Sequence, residues 1–496
     1  MTPPVAIAVI RHALQAAGLW LAERGEMPAT CAAFTADSRA AIAGTLFAAV
    51  HGAVDDGHRY LPQVEAAGAA AAIVGHADAT TLPAFIVSDT RRAVAVAAAA
   101  WYGEPARALR LVGVTGTNGK TTSASMLRHL LSTDAQPAAS IGTLGVLVGS
   151  AGRVHPGGGG LTTPGPIELQ RILRELADCG VAWVALEASS HALHQHRMDG
   201  LRFSAALFTN FTRDHLDYHQ TMAAYFTAKA RLLELLTDDA CVVVNADDEA
   251  WRALVPTSHA RLRFSAGAQM AEVSARGTRF TTTGSTFALH APAEESVTVE
   301  SVTVHLPLLG DFQVENAVGV AAVGVGLGLA LDHIGARLAT MPQVPGRLER
   351  LSSAPAVLRD YAHTPDALER ALRSVRPFAR GKVIVAFGAG GDRDRGKRPE
   401  MGRVAAALAD TCIVTSDNPR TEDPARIIDD IVAGMPDGRA IREEDRRAAI
   451  ARAITLAGDD DLVLLAGKGH ETYQIRGTIS YPFDEAVIVA ELTGRR

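Results

Sequence analysis

The segment TGTNGKTT (115–122) carries the residue types that grip a polyphosphate. Gly116 and Gly119 let consecutive backbone N–H groups curl round an anion, with Thr117 and Asn118 between them. Lys120 neutralises β/γ oxygens, and Thr121, followed by Thr122, offers a hydroxyl to Mg²⁺. The usual form of this loop has a glycine five residues before Gly119, where this chain has Val114, so the motif is a variant. A β-branched run, LRLVGV (109–114), precedes it, and SASMLRHLL follows with Met126, Leu127, Leu130 and Leu131 at helical spacing. Strand, glycine loop, helix is the setting such chemistry requires.

A nucleotide–Mg²⁺ site also needs hard ligands beside the loop. Two further strand candidates end in suitable residues: VAWVALE (181–187) in Glu187, and AALFTNF (205–211) just before His215. Lys229 is the most unusual residue in physical terms. In MAAYFTAKARLLELL the apolar stripe Met222, Tyr225, Phe226, Leu232, Leu233 and Leu236 has Lys229 in its gap. Burial would depress its pKa and favour the free amine, which reacts with CO₂ to give a carbamate, a carboxylate-like metal ligand. The alternative is a stem packed on apolar neighbours with its ammonium reaching solvent.

These residues need a scaffold, and the chain supplies α/β grammar. Further strand candidates are CVVVN (241–245), KVIVAFG (382–388), TCIVTS (411–416) and LVLLAG (462–467), nearly all running into polar or glycine-rich tails. Ligands of open α/β sheets bind beyond such carboxyl ends. At 496 residues the chain is about three ordinary domains long. Linker-like GEPARAL (103–109) and MPQVPGR (341–347) divide it into 1–109, 110–343 and 344–496, with a small β excursion between Phe264 and Val304.

With 48% hydrophobic and 21% charged residues the composition is that of a globular protein, and a net charge of -6 gives no basic field for nucleic acid or anionic membrane. Cys31, Cys179, Cys241 and Cys412 have no CxxC spacing, which argues against a disulfide framework or zinc site. The apolar glycine-rich stretch Ala317 to Leu331 is too short for a membrane span, and MTPPVAIAVIRHAL lacks the basic region of a secretory signal. A cytoplasmic protein acting as a monomer is expected.

TGTNGKTT, LTTP (161–164), EASSHAL (187–193), NFTRDHLDYH (210–219), DYAHTPDAL (360–368), DNPR (417–420) and GKGHE (467–471) together resemble the Mur ligase family. The resemblance runs from about Asp37 to Glu471, and DSR (37–39), LTTP and DNPR narrow it to members that add the third residue of the peptidoglycan peptide. It implies three domains: an N-terminal UDP-substrate domain, a central P-loop ATPase and a C-terminal Rossmann-like domain for the incoming amino acid. It implies ATP and Mg²⁺ as cofactors and Thr121, Glu187, His215 and carbamylated Lys229 as the metal set, with Lys120 on the phosphates. Asn316, Arg347 and Asp360 match adenine, hinge-arginine and ribose contacts. Ser38 and the loop Ala53, Val54 and Asp55 would meet the uridine nucleotide, and Thr162, Thr163, Ser189, Gln195 and Arg197 the muramoyl-dipeptide. Where relatives often have Asn before TTP, this chain has Leu161.

The implied reaction adds meso-2,6-diaminopimelate to UDP-N-acetylmuramoyl-L-alanyl-D-glutamate through an acyl phosphate, in peptidoglycan precursor synthesis. The same resemblance places the amino acid at Arg393, Asp417, Asn418, Pro419, Arg420, Gly467 and Glu471. Diaminopimelate differs from lysine by a second carboxylate, which Arg420 can grip bidentately with Asn418 and Arg393 nearby, while Glu471 pairs with the distal ammonium. An Arg420 buried unpaired in a lysine complex would give discrimination of several kcal/mol. The run 392–398 reads equally as a solvated charged loop, and His363-Thr364-Pro365 equally as a capped helix start. Glycines 388, 390 and 391 do not make GxGxxG, so a dinucleotide site is rejected. The rivals are a lysine-adding ligase of the same family and a non-catalytic nucleotide switch.

Overall fold

The computed structural model describes residues 4–52, 55–254, 259–267, 269–281, 283–292 and 299–494. They form two compact units, Met1–Val273 with Gly319–Ala330, and Ser274–Val318 with Leu331–Arg496; the division falls inside one helix, Asp311–Gly326.

The first unit contains two sheets. The N-terminal one is built from β1 (Trp20–Arg24), β2 (Ala33–Thr35), β3 (Thr45–Ala48), β4 (Ala71–Val74) and β5 (Ala84–Val87), in the order β1-β5-β4-β3-β2, with β1 antiparallel to the rest. Helices α1 (Ile7–Ala16) and α2 (Thr90–Trp101) pack together, and Asp89 caps α2 by accepting from the N–H groups of Arg91 and Arg92.

The second sheet positions the phosphate loop. Strand β6 (Arg110–Thr115) leads through it into α3 (Lys120–Leu131), then come β7 (Ala138–Gly142), β8 (Gly145–Val148), β9 (Arg153–His155), α4 (Pro166–Asp178) and β10 (Trp183–Glu187). Short α5 (Ser190–His194) precedes β11 (Phe203–Phe208), and α6 (Leu216–His219) with α7 (Met222–Ala230) precede β12 (Leu236–Asn245) and β13 (Ala260–Ser265). Their order is β9-β8-β7-β10-β6-β11-β12-β13, parallel from β7 to β13. Thus β6 lies in the middle, with Glu187 opposite Val114 and Phe208 opposite Thr115. Leu111, Ile141, Leu173, Leu186, Phe203 and Trp251 belong to the core beneath.

The expected helix through residue 236 is shorter: α7 ends at Ala230 and a 3₁₀ turn covers Arg231–Leu235. Arg231 explains the break, since its guanidinium is occupied by the Leu193 carbonyl, His196 and Asp199. Leu232, Leu235 and Leu236 still reach the core.

The second unit holds the β excursion expected from sequence, as the antiparallel strands β14 (Val273–Thr281), β15 (Gly284–Pro292) and β16 (Val299–Leu306). The apolar glycine-rich stretch begins in α8 (Asp311–Gly326) and runs through a turn to the first residue of α9 (Leu331–Ala339). No helix among the described residues is long and apolar enough to cross a membrane. The C-terminal sheet has the order β17-β18-β22-β19-β20-β21, with β17 (Glu349–Ser353) antiparallel to β18 (Ala356–Asp360). The remaining strands, β19 (Val383–Phe387), β20 (Thr411–Val414), β21 (Ala440–Arg442) and β22 (Leu462–Ala466), are parallel to β18. Helices α10 (Pro365–Val375), α11 (Lys397–Leu408), α12 (Pro424–Val432), α13 (Arg446–Leu456) and α14 (Glu485–Leu492) complete this doubly wound layer, with a hairpin of β23 (Tyr473–Arg476) and β24 (Ile479–Pro482) before α14. All four cysteines are free thiols.

One buried cation fixes the strand ends of this unit. Arg446, 1% exposed, pairs with Glu485, which is fully buried, at 2.8 Å, and donates to the carbonyls of Ser416 after β20 and Ala466 at the end of β22. Breaking such a pair strands one charge in a low dielectric. Glu485→Ala is expected to lower the free energy of unfolding by about 3–5 kcal/mol in urea titrations, with much of the loss recovered in Glu485→Ala/Arg446→Met.

Candidate active site

The phosphate loop is built from β6 outward. Gly116 and Gly119 have positive φ values of 148° and 86°. A Cβ at Gly116 would lie 1.9 Å from the Thr209 hydroxyl, so only glycine lets the loop pass β11. The other side is stapled by Asn210, whose backbone carbonyl accepts from Thr117 N–H at 2.7 Å and whose side-chain oxygen accepts from Asn118 N–H at 2.8 Å. Gly119 is the N-cap of α3, leaving Lys120, Thr121 and Thr122 in the first turn.

Two lysines converge on one backbone oxygen. Lys120 Nζ donates to the carbonyls of Gly116 and Thr117, each at 2.8 Å, and Lys229 Nζ donates to the same Gly116 carbonyl at 2.6 Å. Lys229 is 1% exposed and lies over the Tyr225 ring at 4.5 Å. Burial, then the charge of Lys120, hold its pKa well below the ordinary lysine value, with Asp214 acting in the opposite sense. The snorkelling alternative is therefore excluded: this ammonium does not reach solvent.

Glu187 closes the far side. Its Oε2 accepts from the hydroxyls of Thr121 at 3.0 Å and Thr143 at 3.2 Å, and its Oε1 from Thr143 N–H at 2.8 Å. His215 has a left-handed backbone, φ 52°, and its ring packs edge-on to His191 with centroids 4.8 Å apart. Burial lowers its pKa; Asp214 opposes this, while Lys120 and Lys229 add to it. Among the described residues no group of three or more His, Cys, Asp and Glu side chains could hold a metal ion. The expected set contains only two, Glu187 and His215. A carbamate on Lys229 would supply a third, carboxylate-like ligand while keeping one N–H for the Gly116 carbonyl, and oxygen donors of this kind are those Mg²⁺ takes.

A polar chain leads away from Glu187. Its backbone carbonyl accepts from Thr163 Oγ1 at 2.6 Å; that hydroxyl also meets Ser189 Oγ at 3.0 Å, and the Thr162 hydroxyl meets Thr143. Arg197 donates to the Thr163 carbonyl and to Gln195 Oε1, and Gln195 donates to the Tyr218 hydroxyl at 3.0 Å. Thr162, Thr163, Ser189, Gln195 and Arg197 are thus one group, connected through Thr143, Glu187 and each other. Leu161 is half exposed beside it. Ser38 opens a 3₁₀ turn capped by Asp37, and Asp55 accepts from the Tyr60 hydroxyl at 2.6 Å on a separate turn; Ala53 and Val54 lie outside the described residues.

In the second unit, Asp360 ends β18 and accepts from Leu348 N–H at 2.8 Å and Ala362 N–H at 2.9 Å. Arg347 stacks on Tyr361 at 4.8 Å, and Asn316 Nδ2 contacts Gln313, whose own amide donates to the Arg347 carbonyl. Thr364 caps α10 with Pro365 in its first turn, and His363 Nδ1 lies 2.8 Å from the Tyr361 carbonyl.

DNPR follows β20, and GKGHE follows β22. Arg420, φ 51°, and Arg393 both approach Gly390, where an added Cβ would lie 3.0 Å from Arg420 Nη1 and 3.8 Å from Arg393 Cγ. Arg420 is only half-buried and Nη1 already donates to the Gly391 carbonyl at 2.8 Å, so it would not stand unpaired without a substrate carboxylate; the discrimination expected of it is smaller. Asn418 Nδ2 donates to Glu471 Oε2 at 2.8 Å, and Gly467, φ 116°, gives space to Asp417, whose carboxylate would lie 2.6 Å from a Cβ. Pro419 is buried, and its carbonyl lies against Gly391.

A family model described as Mur ligase middle domain matches residues 114–324, and one described as Mur ligase, glutamate ligase domain, matches 346–469. A UDP-N-acetylmuramoyl-L-alanyl-D-glutamate--2,6-diaminopimelate ligase of Synechococcus sp. (strain WH7803) is 44% identical over 480 residues, 93% of this chain and 94% of that protein. The chain belongs to the Mur ligase family. The ligase of the same name from Geobacillus kaustophilus (strain HTA426) is 40% identical, covering 95% of this chain and 96% of that one. A solved structure of such a ligase matches with TM-score 0.67 at 31% identity over 95% and 97% of the two chains. A folylpolyglutamate synthase of Mycobacterium tuberculosis complexed with ADP shares the fold, with TM-score 0.63 at 20% identity over 76% of this chain and 91% of that one.

This Mur ligase uses residues that sequence reasoning passed over. Tyr218 bridges His194 and Gln195, and its ring lies 4.2 Å from His191. Arg398, 1% exposed, binds Glu422 and Asp430, while Asp392 accepts from Thr421, so the 392–398 run is anchored at both of its ends, with residues 392–396 exposed to solvent. Lys468, fully buried, contacts Asn418 and Glu471. Its signal was legible in the sequence: one glycine beyond the apolar strand LVLLA, this lysine has a buried neighbourhood like that of Lys229.

Burial raises the carboxyl of Asp360 to about 6, against the opposing pull of Arg347 and two backbone N–H groups. A carboxyl with a raised folded pKa binds its proton more tightly when folded. Its contribution is present below about pH 4 and lost as pH rises through about 6. The stability difference between wild type and Asp360→Asn is therefore expected to shift against wild type from pH 4 to pH 7, measured by thermal unfolding across that range.

Proposed function

We propose that this Mur ligase adds meso-2,6-diaminopimelate to UDP-N-acetylmuramoyl-L-alanyl-D-glutamate, consuming ATP, in peptidoglycan precursor synthesis. The observation that carries the choice of amino acid is the Arg420 guanidinium at Gly390, with the Arg393 stem alongside, beside the Asn418–Glu471 pair: a guanidinium for a carboxylate, a carboxylate for an ammonium. The relatives' names carry the same activity. The reading includes a cytoplasmic monomer and the three-part division 1–109, 110–343 and 344–496.

Amide formation from a carboxylate needs a better leaving group than oxide. The γ-phosphoryl group of ATP passes to the D-glutamate carboxylate, giving ADP and an acyl phosphate. The amine of diaminopimelate attacks the acyl carbon, and the tetrahedral intermediate expels phosphate. The N–H groups of Gly116–Thr122 and Lys120 bind the phosphates and offset the charge of the moving phosphoryl group. Mg²⁺, held by Thr121, Glu187, His215 and carbamylated Lys229, would supply further charge neutralisation when bound. Thr162, Thr163, Ser189, Gln195 and Arg197 hold the muramoyl-dipeptide, Ser38 and Ala53–Asp55 the uridine nucleotide. Asn316, Arg347 and Asp360 serve the nucleoside of ATP, and Arg393, Asp417–Arg420, Gly467 and Glu471 the amino acid.

Phosphate release with UDP-MurNAc-dipeptide should require diaminopimelate, with L-lysine turned over on the order of ten- to a hundredfold less efficiently. Faster turnover with lysine overturns the choice of amino acid, and ATP binding without amide product revives a nucleotide switch. Lys120→Ala should lower kcat by about 10²–10³. If Lys229 is carbamylated, ¹³C-bicarbonate should give a carbamate NMR signal that is lost in Lys229→Ala together with activity; an unmodified Lys229 in active enzyme refutes its metal role.

A further inference from the structure

Lys468 has no place in the reaction as written, yet it is fully buried against the amino-acid residues. Its Nζ donates to Asn418 Oδ1 at 3.1 Å and to Glu471 Oε2 at 3.2 Å, and lies 3.7 Å from Asp417 Oδ1. Tyr473 and Phe483 present their rings 5.8 and 6.0 Å from the ammonium. Asn418 Oδ1 receives a second donor, Ile475 N–H, at 2.9 Å. An ammonium and a backbone N–H can only donate, so the Asn418 amide is forced to turn Nδ2 toward Glu471, where it donates at 2.8 Å. Both donors to Glu471 use Oε2. The other oxygen, on a side chain 16% exposed, is left for a ligand cation.

The geometry points to Lys468 as a positioning residue for the acceptor amino acid: it orients Asn418 and holds Glu471 Oε2, directing Oε1 to the distal ammonium of diaminopimelate. It also balances one of the two carboxylates, Asp417 and Glu471, that would otherwise repel each other and the substrate's carboxylates. This inference rests on the proposed function, because it needs an amino acid with a distal ammonium in this pocket.

Steady-state kinetics of Lys468→Gln, which keeps a donor without the charge, tests it. KM for diaminopimelate should rise about tenfold, equivalent to about 1.4 kcal/mol, with KM for ATP and for UDP-MurNAc-dipeptide within about twofold of wild type. Because Lys468 acts through Glu471, Lys468→Gln/Glu471→Gln should raise that KM little beyond Glu471→Gln alone. The double variant carries no unbalanced charge between these two positions, so it also covers poor folding of the single one. A kcat or melting-temperature loss at unchanged KM, or effects that multiply independently, would assign Lys468 a structural role only. Wild type in the same assay separates the failures: no turnover with diaminopimelate defeats the proposed function, whereas normal wild-type turnover with an unaltered variant KM defeats only the role of Lys468.

Discussion

The carbonyl of Gly116 accepts from two lysines, and much of the first unit follows from that arrangement. Two ammonium groups around one oxygen repel each other in a region where burial already disfavours charge. Lys120 stands in the first turn of α3, at the end of the helix that favours an anion. Lys229 is fully enclosed and bears the shift. Burial and the neighbouring Lys120 both favour the free amine at Lys229, the form that would react with CO₂. A carbamate at Lys229, as proposed, would replace the repulsion between two cations by an attraction between a cation and an anion.

The surrounding fold holds this arrangement still. Central placement of β6 brings Glu187 from one neighbouring strand and Thr209–Asn210 from the other to its end, so three consecutive strands of the sheet contribute to one loop. Glycine at 116 allows the close approach, and capping of α7 by Thr221 sets the helix that carries Lys229. The second unit solves a related problem differently. Three of its buried cations are balanced by fixed carboxylates, Arg446 by Glu485, Arg398 by Glu422 and Asp430, Lys468 by Glu471 and Asp417. All three lie at or beside strand ends whose tails form the expected amino-acid pocket.

Local chemistry in the sequence was legible wherever one residue type has one strong use. The glycine loop, the β-branched runs and the lysine interrupting an apolar stripe each pointed to a structure that is present. Partnerships between distant positions were not legible. Arg398 and Glu422 are 24 residues apart, and Asn418 and Glu471 are 53 apart; nothing in either segment names its partner. That is why the anchoring of the exposed 392–398 run at its two ends did not show in the sequence, and why Arg420 was expected to stand alone when a backbone carbonyl already meets it. The 3₁₀ turn after α7 was hidden for the same reason, since Arg231 is held by residues more than thirty positions earlier.

The two carboxylates at strand ends, Glu187 and Asp360, show how environment assigns different work to similar residues. Glu187 receives hydroxyl donors from Thr121 and Thr143 and the Thr143 N–H, so two of these donors are side chains. Asp360 receives two backbone N–H groups, from Leu348 and Ala362, that belong to the turns on either side of it. Burial pushes Asp360 toward its neutral form, while those N–H groups and Arg347 favour its charge. Its first task is therefore to join Leu348 to the end of β18, and any contact with a ribose must use lone pairs the backbone leaves over. A residue conspicuous for its motif can serve the ligand and the fold together, and in Asp360 the fold has the prior claim.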